Sequence, residues 1–60
     1  IKMKKQIYKE AVKKWNEMLS LKVYVSFKSV LETMYETASN KKNYNRCYII
    51  QDLIIDEINS

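Results

Sequence analysis

Three carboxylates near the end of the chain stand at a spacing that could serve acid–base catalysis or metal binding. Asp52 and Asp56 are four residues apart, which places them on one face of a helix, and Glu57 follows directly. Both kinds of site commonly use histidine as a general base or metal ligand, and the chain has no histidine. We therefore interpret the three carboxylates as a solvated helix surface and predict no catalytic residue, no metal site and no cofactor.

The rest of the composition also argues against an enzyme. The chain has no glycine, so it lacks the glycine-rich loops that cradle phosphates or dinucleotides. Cys47 is the only cysteine, so no disulfide can form within the chain, and we interpret it as a small buried apolar residue. A single unpaired cysteine fits a reducing compartment, and no apolar run approaches the ~20 residues of a membrane span. We predict a cytoplasmic protein that is not an enzyme.

The positive charge is concentrated at the start of the chain. The net charge is +4, and residues 1–20 hold six lysines against Glu10 and Glu17, so the whole excess lies there. A basic segment favours nucleic acid or another anionic surface as its partner. A solvated helix face explains the segment equally well, and contact with the dimer or with a protein partner stays open.

Local patterns divide the chain into residues 1–20 and residues 21–60. Over residues 4–19, apolar residues recur at helical spacing and lysines occupy another face, which predicts an amphipathic helix. Residues 21–28 alternate between apolar and polar, which is typical of a strand with one buried face. A second pattern favours a helix through residues 21–39 instead. It consists of Val23, Phe27, Val30, Leu31, Met34, Tyr35 and Ala38.

Two more helices follow from capping signals. Ser29-Val30-Leu31-Glu32 has the form of a capping box and predicts a helix that ends near Ser39. Residues 40–45 form a polar loop in which asparagine replaces the missing glycine, and Asn43 or Asn45 caps a last helix from about Arg46 to Ile58. Apolar residues cover more than one face of this helix. Because sixty residues make a marginal monomer, we predict a dimer that buries them.

The order strand, helix, loop, helix over residues 21–58 resembles the ribbon-helix-helix family of Arc- and MetJ-type repressors. One part of the resemblance is the alternating segment Leu21-Lys22-Val23-Tyr24-Val25-Ser26-Phe27 with the helix after it. The other is Asn45-Arg46-Cys47-Tyr48-Ile49-Ile50-Gln51-Asp52-Leu53-Ile54, which looks like the start of the family's second helix. The resemblance implies a mostly α-helical homodimer with one short strand per chain, and the alternative fold is an all-α three-helix bundle.

The resemblance also implies a way of binding DNA. Two strands, one from each chain, pair into an antiparallel ribbon that enters the major groove. The residues offered to the base edges are Lys22, Tyr24 and Ser26. Those placed near phosphates are Lys28, Lys41, Lys42, Asn43, Tyr44, Asn45 and Arg46. The dimer core consists of Val23, Val25, Phe27, Ile50, Leu53 and Ile54.

We therefore predict a homodimer that binds double-stranded DNA at specific sequences, as a small transcriptional repressor does. The alternative is a small helical protein-interaction module or inhibitor, in which residues 21–39 are helical. An antitoxin of the ribbon-helix-helix fold is a third hypothesis. It is less favoured because such antitoxins carry a toxin-binding tail after the second helix, although residues 1–20 could take that part.

Overall fold

A computed structural model of the chain describes residues 2–60, and residue 1 lies outside the described part. Residues 2–60 form three α-helices and no strand: α1 spans Lys2–Ser20, α2 spans Phe27–Asn40 and α3 spans Tyr44–Asn59. This architecture is the all-α three-helix alternative, and the helix predicted over residues 4–19 is confirmed. The predicted strand over residues 21–28 is wrong, so the ribbon on which the family resemblance rests is not formed.

The end of α1 explains why the alternating segment does not extend as a strand. The amide of Val23 donates to the carbonyl oxygen of Met18 at 2.8 Å, and the amide of Lys22 donates to that of Leu19 at 2.9 Å. These two bonds close a Schellman motif, in which the residue after the helix turns into the left-handed region. Lys22 is that residue, with φ of 62°. The amides that a ribbon would need are therefore used to end the helix.

The turn between α2 and α3 repeats the same arrangement. Here the amide of Asn43 donates to the carbonyl oxygen of Ala38 and the amide of Lys42 to that of Ser39, both at 2.9 Å. Lys42 adopts φ of 59°. We expected asparagine to replace the missing glycine in this loop, but a lysine takes the left-handed position at both turns.

Side-chain caps fix where α2 and α3 begin. The hydroxyl oxygen of Ser26 accepts a hydrogen bond of 3.1 Å from the amide of Ser29, so α2 starts at Phe27 and not at the predicted Ser29. Asn43 Oδ1 accepts from the amide of Arg46 at 3.4 Å, which confirms Asn43 as a cap. The loop before α3 is therefore shorter than the predicted residues 40–45.

All three helices contribute to one core. Leu31 of α2 and Ile50 of α3 are fully buried at its centre. The other buried members are Ile7, Ala11, Phe27, Val30, Met34, Ala38, Cys47 and Leu53. The described part of the predicted segment 1–20 thus shares its core with residues 21–60, because α1 supplies Ile7 and Ala11.

The residues predicted for a dimer core lie mostly inside the single chain. Phe27, Ile50 and Leu53 are buried in the core described above, and Val25 and Ile54 pack against it half-buried. Val23 stays exposed. Five of these six residues therefore find apolar contacts without a second chain, because the three helices of one chain enclose a common core.

Candidate functional site

Three lysines form a row along the outer face of α1. Lys5, Lys9 and Lys13 recur every four residues, so they lie on one side of the helix with a rise of about 6 Å between neighbours. All three are exposed, whereas Ile7 and Ala11 on the opposite side are buried. The burial of that opposite side fixes the rotation of α1 and points the lysine row away from the bundle.

Of the two acidic residues of α1, Glu17 lies one turn after Lys13 at the end of this row but forms no ion pair with it, and Glu10 is engaged with another helix. Glu10 forms an ion pair and hydrogen bond with Arg46 of α3, and both side chains are half-buried. Lys4 reaches Asp56 of α3, with 3.1 Å between Nζ and Oδ2. These contacts hold α1 against α3, and within residues 2–60 no ion pair joins the lysine row to a carboxylate.

The residues predicted to read bases lie in the connection between α1 and α2. Lys22 holds the left-handed position of the turn, and Tyr24 is exposed, with 77% of its surface accessible. The hydroxyl of Ser26 is occupied as the cap of α2. Because the segment between α1 and α2 is not a strand, the three residues do not lie on one strand face. This arrangement therefore does not form the ribbon that was expected to contact bases.

Six of the seven residues predicted near phosphates lie at the turn between α2 and α3, and the seventh, Lys28, lies in the first turn of α2. Two of their cations are already paired: Arg46 with Glu10, and Lys28 with Glu32, whose charged atoms are 3.6 Å apart. Asn43 caps α3 and thereby uses the amide of Arg46. The remaining members are exposed, and the two lysines among them have no ion pair within residues 2–60. They are Lys41, Lys42, Tyr44 and Asn45.

These two predicted sets do not form one site. The first precedes α2 and the second, apart from Lys28, follows it, and α2 has 14 residues. At 1.5 Å per residue, the helix separates the two turns by roughly 21 Å. A single ligand surface therefore has to be sought elsewhere on the bundle.

A groove of about 660 Å³ runs between α1 and α2. Val30, Met34 and Ala38 line it with apolar surface, and its edge mixes charges of both signs, including Lys14 and Glu17. Among the described residues no group of histidine, cysteine, aspartate and glutamate is arranged to hold a metal ion. The residues that line the groove therefore do not form a recognisable catalytic or metal-binding set.

One exposed surface of α3 was not predicted as a distinct feature. Tyr44, Tyr48, Gln51, Ile55 and Ile58 recur at alternating intervals of four and three residues. All are exposed, and Tyr48 and Ile58 keep 65% and 62% of their surface accessible. The excess of apolar residues in this helix was visible in the sequence. The stripe itself could not be separated from the core face in the sequence, because apolar residues occupy both faces of this helix.

Comparisons with protein-family models, with curated proteins and with solved structures find no match to this chain. In the part of the chain that the structure describes, every helix is too short or too polar to cross a membrane.

Proposed function

We propose that this protein binds double-stranded DNA through the phosphate backbone, using the outer face of α1. The observation that supports this most directly is the row of Lys5, Lys9 and Lys13, which is exposed and free of ion pairs within residues 2–60. The net charge of +4 arises in residues 1–20, so the helix that carries the row also carries the charge excess.

The row presents three cations on one side of α1. They are about 6 Å apart along the axis and rotate by about 40° at each step, so they remain on one face of the helix. Each lysine that neutralises a phosphate releases condensed counterions, which is the main source of affinity in binding that does not depend on sequence. Phosphate contacts carry no sequence information directly, so the proposal concerns backbone binding. A repressor role would rest on that binding and would need a further source of sequence preference.

The test compares two triple variants of equal net charge. Lys5→Gln/Lys9→Gln/Lys13→Gln removes the row, and Lys22→Gln/Lys41→Gln/Lys42→Gln removes the cations of the two turns. Binding to a short labelled duplex is followed by fluorescence anisotropy between about 50 and about 200 mM salt. The row variant should lose on the order of tenfold or more in affinity at the lower salt. Its slope of log affinity against log salt should fall by about 2.7, which is three contacts at about 0.9 each.

The control should stay close to the wild type in affinity and in slope. If both variants weaken binding equally, binding follows net charge alone and the assignment to α1 fails. If the wild type binds no duplex at low salt, the proposed function is wrong. Circular dichroism of both variants confirms that each keeps the helical fold, because all six lysines are exposed.

A second candidate function is a helical protein-interaction module. It is favoured by the exposed apolar stripe on α3, since soluble monomers seldom leave large apolar side chains contiguous on one face.

A further inference from the structure

We infer that the α3 stripe, defined as Tyr44, Tyr48, Gln51, Ile55 and Ile58, pairs two copies of this chain in antiparallel orientation. This inference rests on the second candidate function, names the partner of that surface, and does not depend on DNA binding.

The spacing of the stripe is that of a helix that packs along another helix. Intervals of four, three, four and three residues are those of the a and d positions of a coiled coil. From Tyr44 to Ile58 the stripe is about 21 Å long, and its five residues would form five layers of side chains with an antiparallel partner. The chain's own core does not use this face, because Cys47, Ile50 and Leu53 are the buried residues of α3.

Charge favours a second copy on this face over one on the outer face of α1. Residues 21–60 carry five basic and five acidic residues, whereas the outer face of α1 carries the lysine row. Two copies that approach through α3 therefore meet with little net repulsion, whereas two copies that approach through α1 repel each other. The stripe itself contains no charged residue, and Asp52 is the ionisable residue beside its middle.

Charge also selects the antiparallel orientation. Lys41 and Lys42 precede α3, and Glu57 lies near its end, whereas the neighbouring Asp56 is already paired with Lys4 of the same chain. An antiparallel partner brings the basic end of one helix to the acidic end of the other and opposes their dipoles. It also places the tyrosines of one stripe against the isoleucines of the other. In a parallel pair, each charged residue would lie beside the same residue of the other chain, so like charges would be neighbours.

The area of the face fits a reversible dimer. Covering the exposed parts of two tyrosines and two isoleucines, with the polar residues around them, buries roughly 500–600 Å² per chain. The total of roughly 1,000–1,200 Å² is at the low end of specific interfaces. We therefore expect a dimer that dissociates on dilution and has two-fold symmetry, the commonest arrangement of identical chains.

Sedimentation velocity over a wide concentration range tests the pairing. The wild type should pass from monomer to dimer as concentration rises. Ile55→Glu should raise the dissociation constant on the order of tenfold or more, because a charge would be buried at the interface. Leu21→Glu is the matched control: Leu21 is also an exposed apolar residue, outside the stripe, and its replacement should leave the dimer unchanged. Both variants should keep the wild-type helical spectrum.

Orientation is tested with a short bifunctional thiol cross-linker on mixtures of Tyr44→Cys and Ile58→Cys chains. The antiparallel arrangement predicts cross-links between the two variants in preference to links within either one. A wild type that is monomeric at every concentration, a dimer indifferent to Ile55→Glu, or cross-links mainly between identical variants would each overturn the inference. The outcome of the DNA-binding test remains separable, because its row variant leaves α3 and Lys41 and Lys42 unchanged, and both of its variants are compared at a protein concentration at which the wild type is monomeric.

Discussion

The indole nitrogen of Trp15 donates a hydrogen bond of 2.7 Å to the carbonyl oxygen of Val25. Trp15 lies in α1, and Val25 lies just before α2 in the connection that was predicted as a strand. The ring of Trp15 also packs against Phe27, with ring centroids 5.4 Å apart. One side chain therefore fastens the connection to α1 and supports the first residue of α2.

Trp15→Phe should destabilise the fold by about 1–3 kcal/mol. The substitution keeps an aromatic ring near Phe27 but leaves the partly buried carbonyl of Val25 without its donor. For a domain of this size, the melting temperature should fall by about 4–8 °C per kcal/mol. Tyr24→Phe serves as control, because Tyr24 is exposed in the same connection, and it should change the melting temperature little. Equal effects of the two substitutions would mean that the Trp15 bond does not hold the connection.

The two left-handed lysines give a prediction of opposite sign. Lys22→Gly and Lys42→Gly should each stabilise the fold by about 0.5–1 kcal/mol, since glycine adopts positive φ without the steric cost of a Cβ atom. The effects should add, because the turns lie at opposite ends of α2. Urea denaturation measures both. Lys13→Gly, in the middle of α1, is the control and should cost about 1 kcal/mol. A loss of stability on replacing either turn lysine would contradict the left-handed assignment.

Sequence patterns identified the helices better than the connections between them. The helical spacing over residues 4–19 depends on a buried face with Ile7 and Ala11, and Asn43 was foreseen as a cap because its side chain can accept from an amide. The alternation of residues 21–28 was misleading because backbone amides of Lys22 and Val23 complete the end of α1. Nothing in the sequence indicates which lysine adopts a positive φ.

The candidate site was foreseen as a charge excess and as a face of lysines on an amphipathic helix. Six lysines in residues 1–20 pointed to an anionic partner, but which of them remain unpaired depends on contacts between distant residues. Lys4 is engaged with Asp56, and Arg46 with Glu10. Such pairs join positions far apart in the chain, so local spacing could not reveal them. The resemblance placed the DNA contacts at the turns because it assumed a ribbon.

Helix capping gives a third prediction. Ser26→Ala should cost about 1 kcal/mol, because the hydroxyl oxygen of Ser26 accepts from the amide of Ser29 at the first turn of α2. Ser29→Ala should cost less than about 0.5 kcal/mol, because its exposed hydroxyl does not cap the helix. The free energy of unfolding from urea titrations distinguishes the two serines. The sequence alone predicts the reverse order, with Ser29 as the cap, so the pair of variants decides which serine begins α2.

An alanine scan through residues 21–31 decides between helix and strand for this segment. The structure predicts large losses of stability at Phe27, Val30 and Leu31, which are buried at helical spacing in the core. Leu31→Ala should cost about 2–5 kcal/mol, and Leu21→Ala, at an exposed position, should stay within about 0.5 kcal/mol.

A buried strand face would instead give losses at every second residue from Leu21 to Phe27. Val23 is the most informative position, because it would face inward in the strand but is exposed in the structure. Val23→Ala should therefore be nearly neutral in thermal denaturation. A loss of stability at Val23 comparable to that of Leu31→Ala would mean that the segment pairs as a strand in solution. Lys22 and Tyr24 could then contact bases from a ribbon.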